Sequence, residues 1–228
     1  MRAMKKFLII TGIVLVAIIC LIVIAFIFKD QIIKLGITRG GSYMTGAKVR
    51  LDDFSLNLLK SSVNISGLKI YNPRGFPKGI LLSCPKIYGK YNLNDLWDKK
   101  IHLPRLEIEL EEFVLVKTEK GLNVNALKPS SSEPSKTSKK GSSPVKIDLT
   151  IIKIRKLVYK DYTKGKEPVV ITRNLNKQLT FKDVPSLKDL LKLLIGEPMN
   201  LFKQLNIPID TKEVKGKTWG LFDRLRKR

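Results

Sequence analysis

Histidine is almost absent from this 228-residue chain, which has only His102. That excludes the usual histidine-paired nucleophiles everywhere except around residue 102. No second histidine, cysteine or carboxylate cluster accompanies it at ligand spacing, so it reads as a lone surface or strand-edge histidine and no metal site is expected. Cysteine is nearly as scarce. Cys20 lies inside an apolar run and Cys84 far downstream, so no intramolecular disulfide is expected, and cysteine does not reveal the redox compartment. No CxxC, HExxH, calcium-loop or Gly-x-Ser-x-Gly spacing occurs. Gly216-Lys217-Thr218 looks like part of a phosphate-binding loop, but Thr211 stands where its first glycine belongs and no buried strand precedes it. Asp52-Asp53 and Glu111-Glu112 are adjacent pairs whose side chains point to opposite faces of a strand, poor geometry for a two-carboxylate site. The chain therefore reads as non-enzymatic, without a cofactor.

Acidic residues are also few, with 20 Asp+Glu against 43 Lys+Arg and a formal charge of +23. Such an excess attracts polyanions: anionic lipid head groups, phosphorylated glycolipid or nucleic acid. No recognisable nucleic-acid-binding fold accompanies the charge, so nucleic acid is not an expected partner.

What the chain has in abundance at its start is apolar sequence. Phe7 to Phe28 carries no charge and is bounded by Lys5-Lys6 and Lys29-Asp30. At ~1.5 Å per residue these 22 residues reach ~33 Å, enough to cross a ~30 Å hydrocarbon core. The run exceeds a signal-peptide core and lacks a small-residue cleavage site, and Ile18-Ile19 before Cys20 do not fit a lipoprotein signal. Residues 1–28 are expected to be a tail and an uncleaved transmembrane anchor. Arg2, Lys5 and Lys6 on one flank nearly balance Lys29, Lys34, Arg39 and Lys48 on the other, so flanking charge does not set the orientation.

Residues 29–46 then predict a membrane-proximal helix interrupted by Gly40-Gly41, with a turn at Thr45-Gly46. From 47 to 127 the period becomes two, with phase slips at Asp52-Asp53 and Gly67 that mark bulged strands. Strands are expected near Ile80–Tyr91, Ile101–Lys117 and Leu122–Leu127, with a helical turn at Asn92–Trp97. Residues 128–144 hold seven serines, three prolines and four lysines, and read as a disordered linker. A second β stretch covers 145–185, with signals at Val145–Tyr159, Val169–Ile171 and Leu179–Val184. Ile101, Leu103, Leu106 and Ile108 recur 46 residues later as Ile147, Leu149, Ile152 and Ile154, which fits either a repeat or two ordinary alternating strands. If those strands are neighbours, Glu107, Glu109 and Glu111 can face Lys153, Arg155 and Lys156. Residues 186–205 predict an amphipathic helix starting at Ser186, its spacing stopped by Gly196-Glu197-Pro198 before a last turn at Leu201, Phe202 and Leu205. The basic tail, 206–228, offers Trp219, Phe222, Arg224, Arg226, Lys227 and Arg228 as a membrane-surface contact.

Several of these segments, in this order, resemble the N-terminal region of AsmA-like proteins over about residues 45–127. The matching features are Thr45-Gly46 after the anchor, Val49-Arg50-Leu51-Asp52-Asp53-Phe54-Ser55-Leu56-Asn57-Leu58-Leu59, the strand Leu68–Tyr71 leading into Asn72-Pro73-Arg74-Gly75-Phe76, the strand and helical turn up to Trp97, and Gly121-Leu122-Asn123 after a paired strand. The resemblance implies a mainly β fold with an N-terminal transmembrane helix, and a curved antiparallel β-sheet groove capped by a C-terminal helix. It further implies a bacterial inner-membrane anchor, a cytoplasmic N-terminus, a periplasmic body, and phospholipid as the bound partner in lipid transport or envelope maintenance. The groove would be lined by Val49, Leu51, Phe54, Leu56, Val63, Ile65, Leu68, Ile70, Leu106, Ile108 and Leu110. Roughly seven strands ~4.8 Å apart span only ~35 Å, too short to bridge two membranes alone. The alternative is a structural scaffold that binds other envelope proteins through a sheet edge. A water-stress-hypersensitivity domain, suggested by Asn72-Pro73 and Phe76-Pro77, lacks support from the remaining segments.

The orientation is directly testable. A Ser142→Cys variant is expected to react with a membrane-impermeant maleimide once the outer membrane alone is permeabilised. Labelling only after the inner membrane is broken would reverse the assignment.

Overall fold

The computed structural model describes residues 2–98, 100–127, 145–165 and 167–207. It opens with α1 (Arg2–Thr45), a single helix ~66 Å long at ~1.5 Å per residue. Gly40-Gly41 do not interrupt it, contrary to the sequence expectation. A Cβ placed on Gly41 would sit 3.4 Å from the Val49 side chain, so packing against the body carries the helix through two residues that each cost roughly 1 kcal/mol of helix propensity. The helix stops at Gly46, whose φ of +65° suits a residue without a Cβ and whose N–H donates to the Ser42 carbonyl at 3.0 Å. Among residues whose side chains are described, no helix is long and apolar enough to cross a membrane. The apolar run expected to do so lies largely on α1 side chains outside that set.

The body is mainly β. It comprises β1 (Val49–Arg50), β2 (Asp53–Asn57), β3 (Ser62–Tyr71), β4 (Ile80–Lys90), the short helix α2 (Leu93–Trp97), β5 (Ile101–Thr118), β6 (Gly121–Leu122), a 3-10 turn (Asn123–Ala126), β7 (Val145–Asp161), β8 (Val169–Val184) and helix α3 (Leu187–Gln204). All eight strands join one open, curved sheet in the order β1-β3-β4-β5-β7-β8. β2 continues β1 along β3, and β6 pairs with the end of β5. The sheet is thus six positions wide, ~24 Å between outer strand axes at ~4.8 Å spacing.

The sheet is mixed, which corrects the expectation of an antiparallel groove. β5 and β7 run parallel, from Ile101↔Val145 to Lys117↔Asp161. After β5 the chain doubles back through β6 and enters β7 at the same end as β5, which forces the parallel pairing. The in-register offset is 44 residues, not the 46 of the sequence match, but the difference of two keeps the same face inward. Other expectations also change. The strand expected at Leu122–Leu127 is cut short at Leu122, the end of β6, because beyond it the buried Asn123 side chain takes over the hydrogen bonds to Val114 and Val116. The two signals at Val169–Ile171 and Leu179–Val184 belong to one continuous strand, with Asn176 at φ +47° absorbing the irregularity. Pro198 does not break α3. Burial of Met199, Leu201 and Phe202 beyond it, with the Phe202 ring 6.2 Å from that of Phe113, outweighs the ~3 kcal/mol cost of an internal proline.

One face of the sheet is apolar from β3 to β7 apart from Thr150, and keeping it so requires β3, β4, β5 and β7 to change phase. Buried positions switch parity between Cys84 and Ile87 on β4, Leu110 and Phe113 on β5, and Ile154 and Leu157 on β7. Register places these switches side by side, since Ile87, Ile108 and Ile152 align in one row and Leu82, Phe113 and Leu157 in another. On β3 the slip falls at Gly67, with φ +63°. A Cβ there would lie 1.9 Å from the Asp52 carboxylate and 2.7 Å from Asp52 Cβ. Gly67→Ala is therefore expected to destabilise the body by about 1–3 kcal/mol, through left-handed strain and collision with Asp52. Urea denaturation measures it; an unchanged midpoint would remove Gly67 from this role.

Candidate functional site

All eleven residues expected to line a groove share the apolar face. Val49 lies opposite Ile70, Phe54 opposite Ile65 and Leu56 opposite Val63, while Ile65, Ile87 and Ile108 stand in one row across three strands. Their surroundings divide them into three groups. Leu106, Ile108 and Leu110 belong to the closed core, which α3 caps through Leu193, Leu194, Met199 and Phe202. Val49, Leu51 and Phe54 are also buried, close to where the C-terminal half of α1 meets β1 and β2. Leu56, Val63, Ile65, Leu68 and Ile70 are only half-buried. They form a stripe along β2 and β3 between the two helix-covered regions. Cys84 is fully buried, and that burial pushes its thiol up to about 12, which makes it an inert core residue at neutral pH.

The edge at β1 and β2 is closed by polar groups of α1. Ser42 Oγ accepts from Val49 N–H at 2.9 Å, Lys34 Nζ donates to the Asp52 carbonyl, Asp30 Oδ1 accepts from Leu56 N–H at 3.1 Å, and Lys29 Nζ donates to the Leu56 carbonyl at 3.1 Å. Lys29 and Asp30 also pair with each other at 2.9 Å. Side chains thus supply the hydrogen bonds that another strand would have made. In the sequence these residues read only as charges flanking an apolar run.

His102 is not the isolated histidine its sequence suggested. Nδ1 lies 2.6 Å from Asp95 of α2 and Nε2 lies 2.7 Å from Asp148 of β7. A neutral imidazole has one N–H and one lone pair, so it cannot donate to both carboxylates; the imidazolium can. The Asp148 and Asp95 hydrogen bonds accordingly raise the His102 pKa above its ordinary value. Lys146, 2.9 Å from Asp148, and His102 in turn hold that carboxyl below its usual range. The result is an electrostatic latch joining α2, β5 and β7.

At the other end of the sheet the asparagines of the two resemblance motifs meet. Asn123, fully buried, accepts from Val116 N–H at 3.0 Å and donates to the Val114 carbonyl at 3.0 Å and to Asn72 Oδ1 at 2.8 Å. Asn72 donates to the Pro77 carbonyl at 2.8 Å. These side chains tie the β3–β4 turn to the end of β5. On the polar face, Arg155 pairs with Glu111 and Lys156 with Glu112, each at 3.2 Å, and Glu109 lies in register with Lys153. The pairs are well exposed and worth little singly, but they favour the parallel register. A small concavity there, of about 60 Å³ between Lys86, Tyr88, Glu107 and Glu109, falls well below the ~300 Å³ of ordinary ligand pockets. Among the described residues no group of three potential metal ligands occurs. The expected membrane-surface residues Trp219, Phe222, Arg224, Arg226, Lys227 and Arg228, and the 128–144 linker, lie outside the described residues.

The latch predicts a pH dependence. A raised folded-state pKa contributes stability that is complete below the unfolded value of ~6.5 and is lost as pH rises through the folded value. The lowered Asp148 contributes stability that disappears as pH falls through its own folded value, below ~3.9. Asp95, Lys146 and Asp183 are the other charges facing this cluster. The thermal midpoint of the native chain should therefore exceed that of His102→Gln most near pH 5–6, with the gap narrowing above ~7. A gap independent of pH would exclude the imidazolium latch. Compared with protein-family models, curated proteins and solved structures, the chain matches none.

Proposed function

We propose that this chain is a non-enzymatic, membrane-anchored envelope protein that binds lipid acyl chains along the half-covered stripe of its apolar sheet face. In this reading residues 7–28 of α1 cross the bacterial inner membrane, the N-terminus is cytoplasmic, and the body is periplasmic. It contributes to phospholipid handling or envelope maintenance, as the AsmA-like resemblance of residues 45–127 suggests. The observation that carries the reading is the stripe Leu56, Val63, Ile65, Leu68 and Ile70: five aliphatic side chains, three of them packed against the core, left incompletely buried between α1 and the part of the sheet that α3 caps. A soluble domain gains by burying such a row completely, at roughly 25 cal/mol per Å². An open strip of aliphatic side chains suits an occupant that comes and goes. The uncharged run at 7–28 and the net charge of +23 fit attachment to an anionic bilayer.

A scaffold role is the second reading, favoured by β8. This outer strand of 16 residues has, among the described residues, one backbone edge without a strand partner and exposes Val169 and Val170. Extractable lipid in the purified protein supports the first reading; crosslinks to protein alone support the second.

Charge insertion separates groove from core within the same face. Ile65→Asp or Leu68→Asp, on the half-buried stripe, is expected to leave the body folded while lipid recovered by extraction and mass spectrometry drops sharply. Ile108→Asp, at 1% exposure, is expected to unfold it, because an unpaired buried charge costs several kcal/mol. Lys69→Asp, on the opposite face, should change neither property much. Folded stripe variants with undiminished lipid would count against the groove and leave the scaffold ahead.

A further inference from the structure

The β2–β3 hairpin ends in a side chain with almost no protein around it. Leu59 is 99% exposed, and what singles it out among exposed aliphatic residues is its position at the end of the sheet nearest the apolar run. The turn that presents it is firmly built. The Asn57 side chain accepts from Lys60 N–H at 2.8 Å, Tyr91 Oη donates to the Asn57 carbonyl at 3.1 Å, and Ser61 adopts φ +45° to close the turn.

Three contacts fix where this tip lies along α1. Val49 meets Ser42, Asp52 meets Lys34, and Leu56 meets Lys29 and Asp30. The β1–β2 segment therefore runs antiparallel to α1, toward its apolar end. β2 ends at Asn57 and the chain turns through residues 58–61, so Leu59 lies beyond Leu56 in that direction by less than the ~10 Å of three extended residues. That bound is about seven residues of helix at ~1.5 Å, so the tip lies within the level of the last two turns of the apolar run. Lys60 and Lys90 flank it, both exposed and neither with a carboxylate partner among the described residues.

We infer that the hairpin tip Leu58–Lys60 is a second membrane contact, with Leu59 inserted into the interface of the bilayer that α1 crosses and Lys60 and Lys90 against anionic head groups. The inference rests on the anchor reading of residues 7–28. It adds a different surface, one that meets lipid from the side and not through a spanning segment. An aliphatic side chain flanked by lysines matches the chemistry of that layer, apolar a few ångströms below a negatively charged surface.

The test uses the full chain in phosphatidylcholine–phosphatidylglycerol vesicles, with Cys20→Ser to leave only the buried Cys84. An environment-sensitive fluorophore is attached through Leu59→Cys or, at the far end of the sheet, through Lys120→Cys. The label at 59 is expected to be blue-shifted and quenched by nitroxide lipids whose spin sits ~5–10 Å below the phosphates, while the label at 120 remains water-like. If the chain resists alkaline extraction but the label at 59 behaves like that at 120, the anchor reading stands and the tip contact is overturned. If alkaline treatment strips the chain from the vesicles, the anchor reading falls and the tip contact with it.

Discussion

Everything in the body depends on a geometric requirement: one face of a sheet whose central strands are 17–18 residues long must remain largely apolar along their length. Strict alternation over that length would leave a straight ribbon, which twists away from any helix laid on it. The chain changes side-chain phase at one level on β3, β4, β5 and β7. The rows Ile65–Ile87–Ile108–Ile152 and Ile70–Leu82–Phe113–Leu157 consequently point the same way on either side of the break. A phase change taken in step, with the register kept across β4, β5 and β7, bends the sheet without turning its apolar side outward. The α3 cap, the half-covered stripe and the polar face with its charge pairs all follow from that shared break.

The residues differ in how much of this they disclose. The slips at Asp52-Asp53 and Gly67 are visible in sequence, because glycine and paired aspartates interrupt alternation in a recognisable manner. Those on β5 and β7 occur among Glu111, Glu112 and Arg155, residues that announce no bulge. The apolar set was legible because two-residue periodicity is local; its division into closed core and open stripe was not, since that depends on where α1 and α3 land. The parallel pairing of β5 with β7 joins strands 44 residues apart, a long-range choice that neither composition nor two-residue periodicity specifies. Charge complementarity between these strands did foreshadow their adjacency.

Polar groups show the same limit. His102 looked solitary because its partners are 7 and 46 residues away, and Asn72 meets Asn123 across 51 residues. Such pairings become visible only when strand register brings the residues together. Lys29 and Asp30 were misleading for the opposite reason. A charged pair at the end of an apolar run has an obvious explanation as a flank, which hides its second use as a substitute for a missing strand.

That double use has a mechanical consequence. With α1 as the anchor, the helix that enters the bilayer is the same rigid rod that grips the sheet edge from Lys29 to Ser42. No pliable joint separates them, as a Gly/Ser linker would. If α1 is the anchor proposed above, the body is cantilevered from the membrane rather than tethered to it. Any tilt of the rod in the lipid would then swing the whole sheet by the same angle, so that bilayer thickness would set the direction in which the half-covered stripe faces.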